Sequence, residues 1–472
     1  MAVAIWWIRR DLRLHDNAAL AAALERAGSI VPLFIVDPTL LSSPTASSRR
    51  TAFLCAGLRA LDRDLRARGG RLIVRHGPPA RVLEQVLRET GAESIVAHDD
   101  VSPYGRRRDR RVATHLPLRL VDGLTVLPPE RVTTREGMPY RVFTPFRRAW
   151  ESMVATEDLV PIAPPVRITV PDHVASEEIP ASDQRFDEFP PSEAAARRRL
   201  ETFTSGPQAP IYRYVAMRNR VDLDGTSRLS PYLRFGMVSP REVLLAARGA
   251  MQAAPTASAR ESVRAYIGEL VWRDFYMTIL RHYPHVLRRA LRRELRGIPW
   301  EDDPDALAAW QEGRTGFPIV DAAMRQLAQT GWIPNRARMI VASFLVKDLL
   351  IDWRHGQDHF MRLLLDGDPA ANTGGWQWAA SVGTDAAPYF RIFNPVRQGT
   401  HADPRGAYVR RWVPELARVP DQYVHAPWTM PPAVQRATRC WIGRDYPAPM
   451  VDHTTARARA LARYRASRRR QT

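Results

Sequence analysis

Near the end of the chain runs Asp366-Gly367-Asp368-Pro369-Ala370-Ala371-Asn372-Thr373-Gly374-Gly375-Trp376-Gln377-Trp378-Ala379-Ala380-Ser381, read here as one turn-rich segment. Acids that position a ring, an amide that can face a redox atom, and two indoles suit a buried aromatic cofactor. Packing alone seldom calls for all of them. A second constellation is Glu269, Trp272, Arg273 and Tyr276, at i, i+3, i+4 and i+7 of a helix predicted over Ser262 to Arg281. These four share one face, and Ile267, Leu270, Val271 and Phe275 are left to pack the core. Acid, indole, guanidinium and phenol on one face are costly to bury without a partner. The bland reading is an exposed, salt-bridged edge.

Two further runs bear on binding. Gly331-Trp332-Ile333-Pro334-Asn335-Arg336-Ala337-Arg338-Met339 opens a helix, with Pro334 suited to its first turn. Asn335, Arg338 and Met339 then lie together while Arg336 turns aside. Thr226-Ser227-Arg228-Leu229-Ser230 follows the turn signal Asp224-Gly225. Hydroxyls, backbone N–H groups and an arginine entering a helix form a cradle for pyrophosphate. An ordinary Ser/Thr cap looks the same.

The elements that position these residues divide the chain. Up to about residue 130, strands are expected at Ala4–Ile8, Ile30–Val36, Arg71–Arg75, Ser94–His98 and Leu118–Val121. Helical stretches at Asn17–Ala27, Thr51–Arg68 and Ala80–Thr90 lie between them. This alternation predicts an α/β domain with a parallel, Rossmann-like sheet. No Gly-x-Gly-x-x-Gly follows the first strand, so the dinucleotide fingerprint is absent. Seven prolines between Pro161 and Pro191 mark a long extended connector. Beyond it the pattern is all-α. The expected division is an α/β domain over 1–130, a linker over 131–192 and a helical domain over 193–472.

Length and composition agree with two soluble globular domains: 472 residues, 45% apolar and 25% charged. No apolar run approaches a membrane span, and the N-terminus turns charged at Arg9-Arg10-Asp11, unlike a leader, so a cytoplasmic protein is expected. Cys55 and Cys440 alone exclude a disulfide framework or a four-cysteine cluster. The net charge is +19, carried almost wholly by arginine because Lys347 is the only lysine. Such an excess suits a polyanionic partner.

Taken together, these runs resemble the DNA photolyase and cryptochrome family. The likeness extends from Trp7-Ile8-Arg9-Arg10-Asp11-Leu12-Arg13 to Pro388-Tyr389-Phe390-Arg391-Ile392-Phe393-Asn394-Pro395. It implies a helical FAD domain and light-driven electron transfer from reduced FAD, which splits cyclobutane pyrimidine dimers flipped out of DNA. The resemblance assigns Tyr214, Thr226, Ser227, Arg228, Leu229, Ser230, Arg338, Asp366, Asp368 and Asn372 to the flavin, with Arg338 pairing Asp366 and Asn372 facing N5. Trp300, Trp353 and Trp376 match the family's electron relay. Trp272 would stack on the lesion and Glu269 would hydrogen-bond a pyrimidine carbonyl. Arg273, Asn335, Arg336, Met339 and Trp378 would touch DNA or the damaged pair. No metal is implied, nor an obligate protein partner, and a monomer is expected.

Within the family the likeness is closest to class I enzymes for cyclobutane dimers. Members acting on (6-4) lesions use histidines near the lesion, yet no histidine lies between His285 and His355. Asn372 stands where cryptochromes often differ, and their appended tail is not expected here. Folate-binding members carry Asn-Glu before an Arg-x-Arg-Asp run; here Tyr104-Gly105 precedes Arg106-Arg107-Arg108-Asp109. That departure favours 8-hydroxy-5-deazaflavin over folate as antenna, and a plain basic loop is the alternative. A light receptor without repair and a dark flavoprotein oxidoreductase are the rival classes.

Overall fold

The computed structural model describes residues 2–469. Five parallel strands, β1 (Val3–Ile8), β2 (Ser29–Val36), β3 (Ile73–His76), β4 (Ser94–His98) and β5 (Leu118–Val121), form a sheet of order β3-β2-β1-β4-β5. β1 lies at the centre, with Ala4 opposite Ile30 on one side and Ser94 on the other. It is buried from Ala4 through Ile8, as expected of a strand covered on both faces. The order reverses between β1 and β4, so their carboxyl ends flank the crevice where such sheets bind ligands.

Contacts group the chain into two compact units. The first comprises Met1–Arg213, Ser227–Pro284 and Leu365–Ala370, and the second Tyr214–Thr226, His285–Leu364 and Ala371–Thr472. This grouping differs from the sequence blocks 1–130, 131–192 and 193–472. One reason is that the 131–192 stretch is built into the first unit. It contains the helix Phe143–Thr156, whose Trp150 Nε1 donates to Asp274 at 3.0 Å. The proline-rich connector has no helix or strand, as expected, but it is not loose. Thr169 O accepts from Ile30 N at 2.9 Å, Glu177 N donates to Val74 O at 2.8 Å, and Ile168 and Val174 are buried. It thereby covers the free edge of β3.

The second unit is helical, with a core that includes Trp310, Phe344, Trp353, Trp376, Tyr446 and Tyr464. Among the described residues no helix is long and apolar enough to cross a membrane.

Candidate functional site

In the first unit the predicted amphipathic helix runs over Ala257–His282, capped by Thr256, whose hydroxyl accepts from Ala259 N. Between Tyr266 and Leu280 only Glu269, Trp272, Arg273 and Tyr276 are partly exposed, which is the expected face. Trp272 stacks on Phe143, with centroids 3.6 Å apart and planes 5° from parallel. One indole face is thus backed by the protein.

Arg273, expected at the DNA, also has partners within the first unit. Its side chain is 15% exposed, and its guanidinium donates to Leu124 O at 2.6 Å and lies 3.7 Å from Asp274. Burial pulls Arg273 below its ordinary value and pushes the Asp274 carboxyl up to about 6.

The expected pyrophosphate segment does lead into a helix. The helix it enters, Ser230–Phe235, is a short stub, so the backbone does the positioning. Arg228 adopts φ +51°, a left-handed conformation that costs a non-glycine residue about 1 kcal/mol. Ser227 is buried and hydrogen-bonded with Tyr266, while Leu229 is buried and Ser230 exposed. Burial pushes the Tyr266 phenol up to about 12, the Ser227 bond opposing and Glu269 adding. After the stub, Gly236 has φ +66°, and a Cβ there would fall 1.9 Å from Arg10 O. Only glycine lets this turn close on the end of β1.

Asp366 and Asp368 are buried in the same unit. Asp368 accepts from Ala370 N at 2.9 Å and from Arg10 Nη2 at 2.6 Å, which makes it a helix cap and an ion-pair partner. Its cap explains a correction: the supposed turn-rich segment is largely an α-helix, Pro369–Ala379. Cap and proline at its start outweigh the weak helix propensity of Gly374 and Gly375.

That helix carries Asn372 and Trp376 into the second unit. Asn372 Nδ2 donates to Gln357 O at 3.0 Å, so its orientation is set by the helix Trp353–Leu363. Trp376 is 2% exposed and meets Phe360 and Trp310 edge-on, at 5.0 and 6.0 Å. Trp353 is buried, whereas Trp300 is partly exposed and lies 6.3 Å from Tyr464. Of the three expected relay residues, two are buried and Trp300 is partly exposed. Trp378 is partly exposed beside the same core.

Tyr214 is buried and Thr226 partly so, and Arg338 donates to Ile333 O at 3.0 Å. On the helix Asn335–Ser343, exposed Asn335 reaches Met339 Sδ at 3.8 Å. Arg336 turns aside as expected and donates twice to Asn219 Oδ1, at 3.1 and 2.7 Å. Its guanidinium and that of Arg391 both lie over Phe393, at 6.0 and 5.8 Å. Burial lowers Arg336, and Arg218 and Arg391 add to the effect. Arg218, Asn219 and Arg391 had no role in the sequence reading. Arg391 stood inside a quoted run, and Arg218 and Asn219 follow soon after Tyr214, but only the fold gathers them around Arg336.

A third group sits at the carboxyl ends of β1 and β4 in the first unit. Arg234 donates to Gly367 O at 2.8 Å and Arg10 Nε to Arg234 O at 3.3 Å. Burial pulls Arg234 down to about 9, with Arg10 adding, and Arg50 down to about 10, with Asp366 opposing. Residues 104–109, for which a plain basic loop was the alternative reading, are part of a helix, Pro103–Ala113, capped by Ser102. There Tyr104 donates its hydroxyl to Asp37 at the end of β2, and a Cβ on Gly105 would collide with the Asp100 carboxylate.

Comparison with known proteins bears on these groups. A family model described as the FAD binding domain of DNA photolyase matches residues 266–466, and one described as DNA photolyase matches residues 4–166. The deoxyribodipyrimidine photo-lyase of Salmonella typhimurium is 39% identical across 98% of this chain and 98% of its own. A bacterial class III photolyase from Agrobacterium tumefaciens superposes with a TM-score of 0.91 at 38% identity, covering 99% of this chain and 98% of its own. A cryptochrome from Synechocystis sp. gives 0.89 at 29% identity, with 98% of each chain covered.

Proposed function

The chain belongs to the DNA photolyase family, and we propose that it is a deoxyribodipyrimidine photo-lyase of class I that repairs cyclobutane pyrimidine dimers in DNA. The observation that carries this reading is the Glu269–Trp272–Tyr276 stripe, left partly open on a helix otherwise buried around it. Trp272, backed by Phe143, offers its second face to an apolar ring system. Glu269, three residues before it, supplies a carboxyl for a pyrimidine carbonyl.

FAD fits the residues present. The Asn372 amide is anchored through Nδ2, which leaves Oδ1 to address a redox ring atom. Tyr214, the segment Thr226 to Ser230, Arg338, Asp366 and Asp368 are assigned to the rest of the cofactor. Reduced FAD supplies the photoexcited electron that opens the cyclobutane ring and takes it back afterwards. The protein's part is to orient the lesion, exclude water and hold the carbonyl through Glu269. Arg336, Arg218 and Arg391 are placed on DNA phosphates, with Asn335, Met339 and Trp378 at the damaged pair. Extruding the dimer costs a few kcal/mol, less at a damaged step, and that difference contributes selectivity.

For the antenna we favour 8-hydroxy-5-deazaflavin. Arg234 makes a backbone contact rather than an ion pair, and it lies with Arg10 and Arg50 by the crevice where the strand order reverses. A cationic cluster of this kind suits the acidic ring hydroxyl of a deazaflavin. Tyr104 is engaged with Asp37, and no Asn-Glu pair stands at that point for folate. The domain assignment keeps 1–130 as the antenna domain and 193–472 as the FAD domain, in a monomer of the cytoplasm.

The deciding experiment is anaerobic repair of an oligonucleotide carrying one thymine dimer, with chemically reduced enzyme, in blue light and in darkness. Recovery of thymine absorbance only in light is the expected result. No recovery with FAD bound and reduced would favour light sensing without repair.

A further inference from the structure

One turn of the helix Trp353–Leu363 meets two redox-linked residues at once. Gln357 O accepts the Asn372 amide at 3.0 Å. Gly356, the preceding residue, lies against the indole of Trp376. A Cβ built on Gly356 would stand 2.1, 2.4 and 2.6 Å from the Cη2, Cζ3 and Cζ2 atoms of that ring. Asn372 and Trp376 are four residues apart on their own helix, hence on one side of it. Trp353 opens the helix that receives them.

The indole has little freedom to yield. Phe360 and Trp310 hold it edge-on, and Trp310 is itself pinned by donation from Nε1 to Val341 O at 3.0 Å. The helix is anchored too, since Gln357 Nε2 donates to Leu287 O at 3.0 Å. Glycine inside a helix is ordinarily unfavourable relative to alanine. Here the missing methyl is the space that Trp376 occupies.

We propose that Gly356 is a positioning residue for flavin photoreduction: it seats Trp376 on the helix turn that begins at Trp353 and fixes Asn372, and so sets the geometry of the relay. The inference rests on reading Trp300, Trp353 and Trp376 as that relay. One electron leaves Trp376 for the photoexcited oxidised cofactor. It is replaced in turn from Trp353, from Trp300 and from an added thiol, which is oxidised.

The test is a double-mutant cycle of Gly356→Ala and Trp376→Phe in the flavin-loaded protein, with thiol present. Two quantities are read: the rate of photoreduction and the urea midpoint of unfolding. Gly356→Ala alone is expected to slow photoreduction about tenfold, as a displacement near 1 Å can do, and to lower the midpoint. In the Trp376→Phe background, where the relay is already broken, the same change is expected to leave the urea midpoint unaltered, because the smaller ring leaves the space open. An equal fall of the midpoint in both backgrounds, or normal photoreduction in Gly356→Ala, overturns the proposal. If Gly356→Ala yields no folded flavoprotein, recovery on adding Trp376→Phe supports the contact and failure to recover overturns it. Should Trp376→Phe alone leave photoreduction intact, the relay reading itself fails, a result distinct from failure of Gly356.

Discussion

Phe143 and Trp272 lie face to face, 3.6 Å between centroids and 5° between planes, although 129 positions separate them in the chain. The pairing backs one face of a partly exposed indole with a second ring. Trp272→Ala is therefore expected to weaken binding of dimer-containing DNA about tenfold, the scale of one lost stacking contact, with a smaller loss on undamaged DNA. Phe143→Ala, which removes only the backing, should show the same preference with a lesser loss. Titration of both oligonucleotides by fluorescence anisotropy measures it. Equal losses on damaged and undamaged DNA would exclude that stacking role.

Glu269 shares that open stripe and neighbours Tyr266 and, through it, Ser227. Glu269→Ala is expected to lower repair per absorbed photon at least about threefold, as loss of a charged hydrogen bond would, with FAD retained. Actinometry of dimer splitting together with flavin absorbance checks it. Loss of flavin from the variant would move Glu269 from the lesion to the cofactor.

Arg336 is expected to act through phosphate and not through sequence. Arg336→Ala should weaken damaged and undamaged DNA alike and reduce the slope of log affinity against log salt by about one. Binding isotherms over a range of salt concentrations test this. An unchanged slope would leave Arg336 with its Asn219 contact only.

Lys347 gives a prediction in pH. The side chain is fully buried, donates to Ser381 Oγ at 2.9 Å, and has Nζ 3.7 Å from the centre of the Tyr464 ring, with burial pulling it down to about 7. The unfolded chain then binds the proton more tightly than the folded one between pH 7 and about 10. Folded stability should rise with pH across that window on account of this group, and its contribution is lost as pH falls through about 7. Lys347→Met should remove the rise, so that the difference in urea midpoint between variant and wild type shrinks or reverses toward neutral pH. A difference constant in pH would show that Lys347 does not titrate in this window.

How much was legible beforehand differs from group to group. The face shared by Glu269, Trp272, Arg273 and Tyr276 followed from helical spacing, and the structure places those four as the partly exposed positions of that stretch. What the spacing could not show is that the Arg273 guanidinium also donates to Leu124 O and lies beside Asp274. Glycines misled the reading of the 366–381 run, whose helix is started by the Asp368 cap and Pro369. The Arg218–Arg336–Arg391 gathering could not be read from any one run, since its members lie in three separate segments.

The sequence by itself determined the α/β and helical character, the order of the strands along the chain, the basic surface and the residue types able to serve a flavin and a lesion. Strand alternation and helical periodicity are local properties, written within a few residues of one another. Only the tertiary structure decided what backs Trp272, what orients Asn372, why residue 356 is glycine and how Arg10 comes to bind Asp368. Those relationships join distant segments, and close packing, which no local pattern specifies, selects their partners.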